Sequence, residues 1–182
     1  QRQMCIRDRA YICYENQKLG IIRELFAEPT DSKTIIFSSS KLKVKELAHT
    51  LKRMGLDVAA MHSDLEQAQR EEVMLNFKNN KVNILVATDI VARGIDIEDI
   101  GLVINYDVPH DPEDYIHRIG RTARAAATGS AVTFVCEEEQ GKFRAIEKFI
   151  EKDIRKAELP AVVGEGPAYN PEAFSGLSLI HI

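Results

Sequence analysis

Ile84-Leu85-Val86-Ala87 is apolar at four consecutive positions, and Thr88-Asp89-Ile90-Val91-Ala92-Arg93-Gly94-Ile95-Asp96 follows directly. An apolar run without polar alternation suits a strand covered on both faces, as in parallel sheets flanked by helices. The loop after it places a hydroxyl, two carboxylates, an arginine and a glycine at the carboxyl end of that strand. In open α/β sheets this is the end that carries chemistry. Aspartate is poor in strands and in helix interiors, so Asp89 and Asp96 call for specific partners.

Outward from this stretch, short apolar runs alternate with helical patterns. Thr34-Ile35-Ile36-Phe37, Val58-Ala59-Ala60-Met61, Leu102-Val103-Ile104 and Ala131-Val132-Thr133-Phe134-Val135 read as further strands, and Tyr11 to Tyr14 as an earlier one. Lys18 to Phe26 forms a helix. Val44, Leu47, Ala48, Leu51 and Met54 recur at helical spacing behind the possible caps Ser38-Ser39-Ser40, and Gly55 stops that helix. Ser63 or Asp64 is expected to cap the next helix, whose apolar face holds Val73, Met74 and Phe77. Asp111-Pro112 opens another, and Glu137 to Lys152 forms the last, acids first and bases later. Strand–helix repetition of this kind predicts an α/β fold with three layers, α/β/α, around a central, mainly parallel sheet.

Composition agrees with a soluble globular chain. The 182 residues are 45% hydrophobic and 29% charged, enough for roughly one domain with a sizeable core. No apolar stretch is long enough for a membrane helix and no secretory signal opens the chain, so no membrane partner and a cytoplasmic setting are expected. Cys5, Cys13 and Cys136 show no CxxC spacing, so no metal site is expected, and Cys13 and Cys136 read as small core residues.

The net charge of −4 argues at first against nucleic acid. Its distribution says more. Between Val82 and Gln140 there is no lysine, and the cations are Arg93, Arg118, Arg121 and Arg124 among eleven acids. Arginine alone, without lysine, points to a need for rigid bidentate donors. Three of the four fall in His117-Arg118-Ile119-Gly120-Arg121-Thr122-Ala123-Arg124, three residues apart and so near one helix face. Such crowding repels unless something anionic lies between them.

These two stretches resemble motifs V and VI of the DEAD-box RNA helicases. Ile35-Ile36-Phe37-Ser38 resembles motif IV, and Gln67-Ala68-Gln69-Arg70, after His62-Ser63-Asp64, resembles the QxxR element. Val103 to Pro109 and Asp114-Tyr115-Ile116 match the connecting segments. The resemblance covers about Tyr11 to Pro160 and implies the second, RecA-like lobe of a two-lobed motor. The Gly164-Glu165-Gly166-Pro167 segment looks most like the bacterial RhlE-like branch. Ala123 and Ser63 depart from the glycines usual there.

By resemblance, Arg121 and Arg124 would be arginine fingers reaching the γ-phosphate of ATP, which is held with Mg2+ mainly by the first lobe. Asp96 would meet the ribose, and His117 would join the network around the attacking water. Arg118 would brace Asp89. Thr88, Gly94, Arg70, Gln67 and Ser38 would face the RNA backbone. The partners implied are single-stranded or duplex RNA and the N-terminal lobe of the same polypeptide. The function implied is ATP-dependent RNA duplex unwinding. No GxxxxGK[ST] and no DEAD tetrapeptide occurs, so the chain alone is expected to be inactive as an ATPase. Two other readings stay open: a stand-alone RNA-binding module, and a DNA-directed translocase.

His62, the lysines Lys41, Lys43 and Lys45, and Glu137 to Glu139 read as structural or solvated groups. Three segments are expected: a non-native leader over 1–9, the helicase lobe over 10–159, and an extended linker or tail over 160–182 with non-native last residues.

Overall fold

The computed structural model describes residues 6–30, 32–89, 100–123 and 129–173. Among the described residues seven strands form one sheet: β1 (Ile6–Ile12), β2 (Lys33–Ser38), β3 (Val58–Met61), β4 (Ile84–Thr88), β5 (Ile100–Asn105), β6 (Gly129–Val135) and β7 (Arg155–Lys156). Their order across the sheet is β3-β4-β2-β5-β6-β1-β7, and each pairing is parallel. The helices are α1 (Lys18–Leu25), α2 (Lys41–Arg53), α3 (Gln67–Lys78), α4 (Pro112–Ala123) and α5 (Gln140–Ile150).

Alternate strand residues feed opposite faces. Ile36, Val86, Ile104, Val132 and Phe134 pack with Ile21 and Ile22 of α1 and with Val44, Leu47 and Leu51 of α2. On the other face, Ile35, Phe37, Leu85 and Val103 meet Phe77 of α3. Ala131 and Val135 meet Tyr115 and Ile119 of α4 and Phe143 and Ile146 of α5. The three-layer α/β/α fold expected from the strand–helix repetition is therefore present. Each fully buried Ile, Leu or Phe contributes about 1.5–3 kcal/mol of burial free energy.

Four boundaries differ from expectation. The first strand ends at Ile12 and begins at Ile6, so it takes in the end of the stretch expected to stand outside the fold. Ladder bonds are made by the backbone, and residues 6–9 pair with Gly129, Ser130, Ala131 and Val132 whatever their side chains. The third helix starts at Gln67, not behind Ser63 or Asp64. The Asp64 carboxylate is already held by Lys41 (2.9 Å) and Lys45 (2.5 Å), and the Glu66 amide instead donates to Gln69 Oε1 at 2.8 Å. The last helix begins with a 3-10 turn over Glu137–Glu139 and stops at Glu151, whose φ of 55° leaves the helix.

The fourth difference is the tail. Residues 160–173 lack regular periodicity, but they lie against the domain. Gln17 Nε2 donates to the carbonyls of Val163 and Glu165, both at 3.0 Å. The buried Gln140 donates to Ala168 O (2.8 Å) and accepts from Asn170 N (2.6 Å). Tyr169 OH donates to Glu147 at 2.7 Å, while its ring sits edge-on to Phe143. Glu147 also takes Lys156 and the Ile154 amide. Burial disfavours its charge, yet these donors outweigh burial and hold its carboxyl below the usual range.

Residues 160–173 thus form a strap, and at Gly166 it passes close to the end of β1. A Cβ there would collide with the Ile12 carbonyl and lie 2.7 Å from Leu159 Cδ1. Gly166→Ala is expected to cost about 1–3 kcal/mol by overpacking, read as a lower urea midpoint. An unchanged midpoint would show that the strap does not contribute to stability.

Candidate functional site

The ends of β4, β2 and β5 lie side by side at the middle of the sheet, and the polar loops predicted to carry chemistry leave from them. Ser38 and Thr88 are register neighbours. Both are buried: Ser38 is 0% exposed, and its hydroxyl donates to Asp107 Oδ2 at 2.6 Å. Ser38, expected to face RNA, thus leaves no exposed side-chain surface to a phosphate. Its oxygen is committed inward because an aspartate stands one strand away.

Arg118 organises this end of the sheet. It rises from the middle of α4, and its side chain is 1% exposed. Nε donates to Asp89 Oδ1 (2.5 Å) and Nη2 to Asp89 Oδ2 (2.8 Å), a two-pronged clasp. Nη1 donates to Asp107 O (2.9 Å) and Asn105 Oδ1 (3.4 Å), and Nη2 also reaches Ser39 Oγ (3.1 Å) and Asp107 Oδ1 (3.3 Å). Burial alone would lower the pKa of the guanidinium, but Asp89 and then Asp107 outweigh it and raise it. Asp107 also accepts from the Ser39 amide (3.1 Å) and Ser39 hydroxyl (3.1 Å). One buried cation and two carboxylates therefore tie the ends of β2, β4 and β5 to α4.

Asp107 is the residue to which sequence reasoning gave no role, although the polar run Tyr106-Asp107-Val108-Pro109 directly after a strand marks a place where chemistry is expected. Glu139 was missed too, as one of three glutamates at a helix start. Its carboxylate accepts from the Val108 amide (3.0 Å) and the Cys136 amide (3.2 Å), so it holds the turn after Asp107.

Other predicted residues are brought to the surface around this knot. The His117 side chain is 56% exposed, with Nδ1 3.9 Å from Asp114 Oδ1. Gln67 and Arg70 lie in the first turn of α3. Gln67 Nε2 donates to Glu71 (3.2 Å), and Arg70 Nη2 to Ser63 O (3.4 Å). Arg70 Nε is buried with no partner among the described residues. Arg121 lies in α4, one turn past Arg118, with its side chain outside the described residues. Arg93, Gly94, Asp96 and Arg124 also lie outside them.

The lysines of α2 do not make an open basic patch. Lys41 and Lys45 both clasp Asp64, and Lys43 reaches Glu15 at 3.3 Å. Hydrogen bonds from Lys45 and Lys41 push the Asp64 carboxyl down to about 2. His62 is buried beside them and accepts the Asp64 amide at 3.3 Å. Among the described residues no cluster of three or more His, Cys, Asp or Glu could hold a metal, and no helix is long and apolar enough to cross a membrane.

A family model described as helicase conserved C-terminal domain matches residues 17–126. The ATP-dependent RNA helicase CshA of Listeria monocytogenes is 40% identical over 147 residues, 81% of this chain and 28% of that protein. The chain belongs to the C-terminal domains of the DEAD-box helicases. Solved DEAD-box structures agree. E. coli SrmB, determined with regulator of ribonuclease activity A, superposes with a TM-score of 0.83 at 29% identity, covering 92% of this chain and 99% of that one. S. cerevisiae Dbp5 bound to RNA and ADP BeF3 gives 0.78 at 31%, covering 86% and 42%. The DEAD-box domain described here spans about a third of the length of the curated relatives it matches.

Proposed function

We propose that this domain is the second lobe of an ATP-dependent RNA helicase, supplying arginine fingers to ATP hydrolysis and half of an RNA-backbone surface. The observation that carries the reading is the division of labour along α4. Arg118 is spent inside the fold on Asp89 and Asp107, so it has no free donors for a ligand. It fixes the register of α4 one turn before Arg121, while His117 beside it stays exposed. Buried anchoring of one arginine is what preorganises a neighbour for a phosphoryl group in flight.

In this reading Arg121 and Arg124 neutralise charge developing on the γ-phosphate, Asp96 takes the ribose, and His117 orients the interlobe network. Asp89 and Arg118 act as support. Thr88, Gly94, Arg70 and Gln67 contact RNA phosphates and sugars, which position without reading sequence. Ser38 serves through Asp107. The phosphate cradle and the carboxylates for Mg2+ belong to the first lobe, since the chain carries neither motif. A cytoplasmic setting and the RhlE-like branch remain part of the proposal. The relatives named above are of other types.

The test is complementation. The chain alone is expected to show no RNA-stimulated ATPase, and the chain joined to a DEAD-box first lobe is expected to gain it, read as phosphate release with and without RNA. Turnover from the isolated chain would overturn the two-lobe reading, as would a joined protein that hydrolyses ATP equally well with Arg121 and Arg124 both replaced by alanine.

A further inference from the structure

Cys13 follows the last residue of β1, and Cys136 follows the last residue of β6. The ladder pairs Ile12 with Val135, so the next two residues stand side by side. The Cys13 amide continues the ladder by donating to Val135 O at 3.0 Å. Neighbouring strands lie about 4.8 Å apart, inside the roughly 4.4–6.8 Å between Cα atoms that a disulfide spans. Tyr11 and Phe134, each two residues earlier, both face the α1–α2 core, and Cys13 packs in that same core. Register neighbours on parallel strands project to the same face of the sheet, so the two thiols share one side of it. Both are free cysteines and both are buried.

Their surroundings are not those of inert core cysteines. The ammonium of Lys18 is buried beside them, donating to Tyr106 O at 2.7 Å and paired with Glu15 at 2.9 Å. The Cys136 thiol donates to Glu15 Oε1 at 3.8 Å, and the Glu15 and Glu139 carboxylates oppose its ionisation. A cation and an S–H donor both favour a thiolate. The Cys136 thiol is accordingly held below the usual thiol range, first by the hydrogen bond from Cys13, against burial, and with help from Lys18. Cys13, the donor, is pushed up. An open cleft of about 280 Å³ is lined by Glu15, Lys18, Tyr106 and Glu139, so it reaches the polar neighbours of the pair, while the two sulfurs lie behind its wall.

We propose that Cys13 and Cys136 form a dithiol modification site that a small peroxide closes to an intramolecular disulfide. The Cys136 thiolate attacks one oxygen of hydrogen peroxide, the O–O bond breaks, and the departing hydroxide is protonated to water, leaving a sulfenic acid. The Cys13 sulfur then attacks the Cys136 sulfur, the S–O bond breaks, and the Cys13 proton leaves with the oxygen as a second water. Two thiols and one peroxide give one disulfide and two waters, and a thiol reductant reverses the change. Cys136 is only 3% exposed, so a bulky disulfide such as oxidised glutathione is excluded, and the oxidant must be as small as hydrogen peroxide. The bond would form beside the Glu139 carboxylate, which joins the Cys136 and Val108 amides.

The test uses the chain with Cys5→Ser, which removes the third thiol. Dilute hydrogen peroxide is expected to remove two hydrogen masses and yield a linked Cys13–Cys136 peptide, at least about tenfold faster in the folded chain than in urea. Cys13→Ser should instead accumulate a dimedone-reactive sulfenic acid on Cys136. Recovery of both thiols by alkylation after peroxide would overturn the proposal, and so would equal rates in folded and unfolded chain, or closure by oxidised glutathione as fast as by peroxide. None of these readings depends on helicase activity.

Discussion

Arg121→Ala, placed in the full two-lobed protein, is expected to lower RNA-stimulated ATP turnover by about a thousandfold while RNA association changes less than about threefold. Arginine fingers contribute about 10³–10⁵ to phosphoryl transfer because they meet charge that exists only in the transition state. In the proposed reading RNA association rests on other residues, Thr88, Arg70 and Gln67, which lie on β4 and α3. Arg121→Lys keeps the charge but loses the planar fork, so it should recover only part of the turnover. Steady-state phosphate release at saturating RNA, beside fluorescence anisotropy of labelled RNA, separates the two quantities. Turnover of the alanine variant within threefold of the parent would remove Arg121 from the reaction.

The second large effect is on stability. Arg118→Ala takes out a guanidinium that is 1% exposed and bonded to Asp89, Asp107, Asn105 and Ser39. Two carboxylates are then left near each other with no cation between them. Removing one partner of a buried ionic cluster costs about 3–5 kcal/mol. For a chain of this size that is a drop of about 6–20 °C in Tm. Arg118→Lys should rescue little, since one ammonium cannot satisfy acceptors on three strand ends at once. Calorimetry on the chain itself decides the matter, and a Tm within about 2 °C of the parent would mean that the knot does not hold the domain.

Much of the fold was legible because burial on both faces of a parallel strand leaves an unbroken apolar run, as in Ile84 to Ala87 and Thr34 to Phe37. Helix starts were less legible because capping groups are shared out in three dimensions. Asp64 is a good cap by type, but two lysines from α2 occupy it. The strap was illegible for a related reason. Proline and glycine mark 160–173 as irregular, yet irregular chain can be held firmly by buried amides, and nothing near Gln17 or Gln140 in sequence announces that role. At the site, spacing drew attention to Arg118 and Asp89. Asp107 stood in a polar run after a strand, but its role was not legible, because its partners Ser38, Ser39 and Arg118 come from β2, the loop after it, and α4.

The pairing of Lys41, Lys43 and Lys45 with Asp64 and Glu15 bears on how such a lobe lets go of a polyanion. Cations already neutralised within the protein release few counterions when a nucleic acid arrives, so grip depends weakly on salt and long-range capture is modest. In the helicase reading proposed for this domain, a weakly salt-dependent grip suits repeated binding and release of RNA.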